Sequence, residues 1–156
     1  MKKKILSGIG ITFLGLVALL WAASAFMLRF ALSPVNEGKD LEGSWEYMFE
    51  NYPELEAWKD SLTQAEALKD TFIYAPDGAR LHAYYVAAPS PTSKTAVIVH
   101  GYTDNAIRMM MIGYLYNQSL GYNILLPDLR YSGLSDGDAF QMGWLGRKVG
   151  MKWMNV

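Results

Sequence analysis

The stretch from Thr95 to Gly137, TAVIVHGYTDNAIRMMMIGYLYNQSLGYNILLPDLRYSGLSDG, constrains the fold more than any other part of the chain. It opens on Ala96-Val97-Ile98-Val99, an unbroken apolar run rich in β-branched residues. Such a run reads as a strand from Thr95 to His100, buried with both faces covered. His100-Gly101 closes it. Asp104 then stands as a helix N-cap, and Ile107, Met110, Met111, Tyr114 and Leu115 follow at helical spacing. Gly121 is placed to end that helix. Asn123-Ile124-Leu125-Leu126 is a second short apolar run, stopped by Pro127-Asp128. Strand, helix and strand within about thirty residues make a βαβ unit, with parallel strands and a right-handed crossover. Ligands of such sheets sit beyond the carboxyl ends of the strands. The polar loops His100 to Asp104 and Asp128 to Gly137 therefore share one functional edge.

Upstream, Thr71 to Ala88 reads as a β-hairpin. Pro76-Asp77-Gly78 supplies the turn, because proline presets φ and glycine accepts a positive one. Leu81, Ala83 and Tyr85 alternate with His82, Tyr84 and Val86, which makes His82 a strand residue with a structural role. Ser33 to Asp70 has a different character: ten acidic residues face three lysines. Ser44 is a candidate N-cap, with Trp45, Met48, Phe49 and Tyr52 as an apolar stripe that Pro53 interrupts. Pro53 also suits the start of a second helix bearing Leu55, Trp58 and Leu62 on one face. This acidic pair reads as a helical lead-in packed on the domain, its charges on a solvated outer face. After Gly137, Trp144, Lys148, Met151 and Met154 mark a helical face that Gly146 and Gly150 weaken by about 1 kcal/mol each.

The N-terminus carries Lys2-Lys3-Lys4 and then no charge from Ile5 to Leu28. That run would span about 36 Å as a helix, enough for a bilayer core. The lysines favour the cytoplasm, which places the remainder outside. Two readings follow: an uncleaved anchor through residues 5–28, or a signal cut near Ala23-Ser24-Ala25, with the domain secreted. A division into 1–32 (transmembrane anchor or uncleaved signal), 33–69 (acidic helical lead-in) and 70–156 (α/β domain) results.

Net charge is −1, and the balance offers nothing to a nucleic acid. Cysteine is absent, and His82 and His100 are the two histidines. They are far apart in sequence and the carboxylates are scattered, so no metal-ligand spacing arises. No phosphate-binding glycine loop is present, and no cofactor is expected.

Two loops carry a family resemblance. The strand followed by His100-Gly101-Tyr102 resembles the oxyanion loop of α/β-hydrolases. Asp128-Leu129-Arg130-Tyr131-Ser132-Gly133-Leu134-Ser135 resembles the D-x-R-G-x-G-x-S loop after their next strand, with Tyr131 in place of the first glycine. The similarity runs from about Asp70 onward and is nearest to the serine aminopeptidase and esterase-like branch. It implies an α/β fold: an incomplete α/β-hydrolase sheet of hairpin plus βαβ unit, behind an N-terminal transmembrane helix and a short helical lead-in. It implies that Tyr102 offers an oxyanion N–H, that His100 holds the loop, and that Asp128, Arg130, Gly133 and Ser135 order the rim of the site. A small ester or peptide is the implied substrate.

The chemistry of that family needs a nucleophile on a strand-to-helix elbow, then an acid, then a histidine. Gly133-Leu134-Ser135-Asp136-Gly137 matches the elbow literally. Yet Pro127 to Ser132 separate it from its strand, and no histidine follows Ser135. The chain is also shorter than the roughly 200 residues of a complete fold of this kind. The expectation is the N-terminal portion of a membrane-anchored serine hydrolase, without elbow, acid or base, and inactive as it stands. A membrane-tethered α/β module that binds a partner without catalysis is the alternative.

Overall fold

A computed structural model describes residues 2–33, 37–141, 143 and 146–153. The chain divides into two compact units, Met1–Pro34 and Val35–Val156. The first is the helix α1, Lys2–Leu32. Its 25-residue stretch Gly8–Leu32 has a mean hydropathy of 2.2 and is long and apolar enough to cross a bilayer. Leu14, Leu19, Trp21 and Phe26 are all exposed, as suits a helix that is apolar on every side.

The second unit is α/β. After a short 3₁₀ turn, Glu37–Lys39, come α2 (Leu41–Asn51) and α3 (Glu54–Gln64). A hairpin of β1 (Leu68–Tyr74) and β2 (Arg80–Val86) follows, then β3 (Thr95–Val97) and β4 (Asn123–Pro127). Between β3 and β4 runs one helical segment, α4, with its α-helical turn at Met110–Tyr114. It begins as 3₁₀ at Ile107–Met109 and ends as π at Leu115–Ser119. The helix α5 spans Gly146–Trp153. The sheet order is β1-β2-β4-β3. β1, β2 and β4 pair antiparallel, and β3 lies parallel to β4.

The alternation along β2 and β4 gives each sheet face its own apolar set. Tyr84, Val86, Ile124 and Leu126 point to the face covered by α2, α3 and α4, where Met48, Leu55, Trp58, Ile107 and Met110 are buried. Leu81, Ala83 and Leu125 point the other way, onto Ile73 and Trp153. Gly113 lets α4 close on the sheet: a Cβ there would lie 2.7 Å from Ile124 Cδ1. The hairpin turns at Gly78, φ +86°, and α4 ends at Gly121, φ +67°.

Several local expectations are corrected. The organising strand pairs regularly only over Thr95–Val97, although Ile98 still donates to Leu125 O at 2.9 Å. Its faces are unequal: Ile98 is buried, whereas Val97 is 39% and Val99 50% exposed. Ala96 and Ile98 pack into the core that α4 covers, whereas Val97 and Val99 line a cavity on the other face. The cap of α2 is Asp40, whose carboxylate accepts from Gly43 N at 2.9 Å. Ser44, expected there, is buried inside the helix and donates back to Asp40 O. At α4 the capping oxygen belongs to Asn105, which accepts from Ile107 N at 3.0 Å and Arg108 N at 3.3 Å. Asp104 instead accepts from Asn105 N and lies 3.8 Å from Arg108 Nε. On α5, Met151 is 61% exposed and Trp153 is the residue driven into the core. The face drawn through Met151 is therefore displaced by two residues. Trp144 and Met154 lie outside the described residues, and so does the side chain of Lys148.

Candidate functional site

The carboxyl ends of the parallel strands β3 and β4 lead into the two loops, and one histidine ties the loops together. His100 Nε2 accepts from Leu129 N at 2.9 Å. That fixes the tautomer: the proton sits on Nδ1, which donates to Gly101 O at 2.7 Å. Burial, its largest influence, pushes the imidazole below its ordinary value, so His100 is neutral and both nitrogens are engaged. Gly101 and Tyr102 follow, exposed at the sheet edge. Thr103 takes a left-handed φ of +61°.

Asp128 is the hub of the second loop and is 1% exposed. Its Oδ1 accepts from Ala106 N at 2.8 Å, at the start of α4. Its Oδ2 accepts from His82 Nδ1 at 2.7 Å and Leu134 N at 3.1 Å. Burial raises its proton affinity, but the His82 hydrogen bond, the two backbone donors and the charge at His82 together outweigh that, and the carboxyl lies below the usual range. His82 is fully buried, and its Nε2 meets the partly exposed Asp70 at 2.9 Å. A chain of contacts thus runs from β1 through β2 to the loop after β4. Phe72 and Tyr84 lie against the imidazole with ring centroids 5.2 and 4.6 Å away. Burial foremost, and the charges of Asp128 and Asp70, push the Tyr84 hydroxyl far up and keep it neutral.

Ser135 is 1% exposed. Its hydroxyl donates to Asp128 O at 2.7 Å and accepts from His82 N at 2.9 Å. Asp136 extends the same pairing, exchanging bonds with the backbone of Arg80. Gly133 has φ +47°, and a Cβ there would fall 2.0 Å from Asp128 Oδ2. No side chain fits. Tyr131, standing where the resembled pattern has glycine, keeps a glycine-like φ of +67°. Its ring packs edge-on against Phe140 at 5.3 Å, and Tyr102 meets the same ring at 5.0 Å. Arg130 leaves the loop in the other direction and pairs with Asp77 of the hairpin turn at 2.6 Å. That hydrogen bond is the main reason the Asp77 carboxyl lies below its ordinary value.

The structure thus brings His100, Gly101 and Tyr102 beside Asp128 and Arg130, around a cavity of about 410 Å³ that Val99, Leu129, Phe140 and Trp153 also line. Gly133 and Ser135 are not among its lining: Gly133 lies against the Asp128 carboxylate, and Ser135 bonds Asp128 O and His82 N. Sequence reasoning missed Asp70, Gly38 and Lys39 as contributors, and nothing local in the sequence marks them. Among the described residues, no cluster of three or more His, Cys, Asp or Glu side chains could hold a metal ion.

No protein-family profile and no curated protein matches this chain. Solved structures do resemble it. The esterase Pf2001 of Pyrococcus furiosus aligns at 31% identity over 56% of this chain and 36% of its own, with a TM-score of 0.46. The α/β hydrolase GrgF of Penicillium sp. sh18 aligns at 18% identity over 56% of this chain and 32% of its own, with a TM-score of 0.43. The chain therefore spans about a third of the length of the structures it resembles.

Proposed function

We propose that the chain is the N-terminal portion of a membrane-anchored α/β-hydrolase of the serine aminopeptidase or esterase-like branch, directed at ester or peptide bonds. One observation carries this reading. Two loops with the residues of an oxyanion loop and of a D-x-R-x-x-G-x-S loop leave adjacent parallel strands at the same edge, joined by the Leu129 N to His100 Nε2 bond. In this reading Tyr102 N–H faces the developing oxyanion. His100 is spent on loop geometry and takes no part in proton transfer. Asp128, Arg130, Gly133 and Ser135 hold the rim. Residues 5–28 anchor the protein, with Lys2 to Lys4 in the cytoplasm and the domain outside.

Ser135 is a poor candidate for the nucleophile, because a nucleophilic hydroxyl needs a base within hydrogen-bond reach. Its own hydroxyl instead donates to a backbone carbonyl. The chain should therefore hydrolyse activated esters no faster than its Ser135→Ala variant and resist fluorophosphonate labelling. Stoichiometric labelling at Ser135 would show that it is the elbow. The hydrolase reading itself is tested by the genomic sequence beyond the Val156 codon. A frame encoding a further strand, G-x-S-x-G and a later histidine supports it. A frame with none of these overturns it in favour of a tethered binding module.

A further inference from the structure

The short segment ahead of α2 is wedged between the two loops. Gly38 O accepts from Gly133 N at 2.6 Å and from Asn105 Nδ2 at 3.5 Å. Asn105 Nδ2 also donates to Ser44 Oγ at 2.8 Å, while its Oδ1 caps α4. Lys39 Nζ donates to Ser135 O at 2.7 Å. Gly38 is buried, and the fit is close on both sides: a Cβ would lie 2.9 Å from Asp104 O and 3.3 Å from Ser132 Oγ. The same two residues thus touch the loop after β3 and the loop after β4.

We propose that Gly38 and Lys39 form a strap that positions the two rim loops against each other, so that the turn just ahead of α2 governs the order of the site. The proposal rests on reading these loops as the rim. Neither residue touches a reacting atom in that reading; both act through Ser135, Gly133 and Asn105. The strap fixes Gly133, whose neighbour Leu134 N binds Asp128, and it fixes Asn105, whose neighbour Ala106 N binds the same carboxylate. Loosening it therefore releases both loops together, although they are joined to different strands.

The test is amide hydrogen exchange, read by mass spectrometry on the full chain in detergent micelles. Lys39→Met removes a charge-assisted bond, and exchange of segments 103–108 and 129–136 should rise roughly tenfold while segments of β1 and β2 keep their rates. Lys39→Arg retains a donor and should restore most of the protection. Gly38→Ala should raise exchange in both loops further, because its Cβ meets a backbone oxygen that cannot move aside. Unchanged exchange in both loops would overturn the proposal. So would a rise confined to residues 37–44, or an equal rise across β1 and β2, which would make Lys39 a support of the whole fold. Exchange reports loop order whether or not the chain hydrolyses anything, so failure of the hydrolase reading and failure of the strap are separate results.

Discussion

Replacing Asp128 by asparagine tests the hub directly. The carboxylate accepts three hydrogen bonds, one on Oδ1 and two on Oδ2. An amide keeps one oxygen. In its better orientation the NH₂ faces Ala106 N, which strands a buried donor at about 1–3 kcal/mol. The amide oxygen keeps the His82 and Leu134 bonds, but the negative charge beside the buried His82 is lost, and removing one charge of a buried pair costs about 3–5 kcal/mol. These overlap, so the total for Asp128→Asn is about 3–5 kcal/mol. For a domain of this size that lowers Tm by about 10–20 °C. The pH dependence carries a definite sign. The folded carboxyl lies below its unfolded value, so its contribution is full above about pH 4 and is lost as pH falls through the folded value. The gap between wild type and variant should be widest at neutral pH and shrink below pH 4. Near-ultraviolet circular dichroism of the full chain in micelles follows Trp58 and Trp153, which are buried in the two cores. A Tm within about 3 °C of wild type at pH 7, or a gap that persists undiminished to pH 3, would refute the reasoning.

Gly133→Ala should destabilise by at least about 2 kcal/mol, since it adds left-handed strain to a clash with Asp128; a melt indistinguishable from wild type would mean the loop can relax. A protease-sensitive tag after Val156 should be digested on intact cells if the three N-terminal lysines stay in the cytoplasm, and protection until lysis would reverse the orientation. Residues 33–156 expressed alone should self-associate through β3, the end strand whose Val97 and Val99 are exposed, and Val99→Lys should shift sedimentation toward monomer. A monodisperse wild-type species would refute that.

Features with a local cause are legible in the sequence. Pro76-Asp77-Gly78 turns the hairpin because only its own backbone is involved, and Leu55, Trp58 and Leu62 are buried because helical spacing alone puts them on one face. The β4 run was legible for the same reason. The caps are less legible, because Asp40 and Ser44, and likewise Asp104 and Asn105, offer the same capping chemistry within a few residues, and tertiary packing chooses between them. Asn105 prevails over Asp104 at α4 because its amide can also reach Ser44 and Gly38. The site shows the limit most plainly. Tyr131 was visible as a departure from a glycine pattern, but its retained left-handed backbone was not. The contacts of His82 with Asp70 and Asp128, and of Lys39 with Ser135, reach across separate elements, and no periodicity or turn chemistry announces them.

The Lys39 to Ser135 bond joins residues 96 apart in the chain, and the Gly38 to Asn105 bond joins residues 67 apart. Contacts of that span close large loops and pay their entropy before they return any energy. The hairpin of β1 and β2 has no such requirement, since Tyr74 and Arg80 meet across one tight turn. During synthesis the hairpin can therefore form while the residues that complete the strap are still inside the ribosome. Residues 37–39 emerge early and must wait, with Gly38 O and the Lys39 ammonium still in water, until residue 135 has followed. The two rim loops therefore cannot be strapped together until the loop after β4 has been made, and a segment from the start of the domain is the one that joins them.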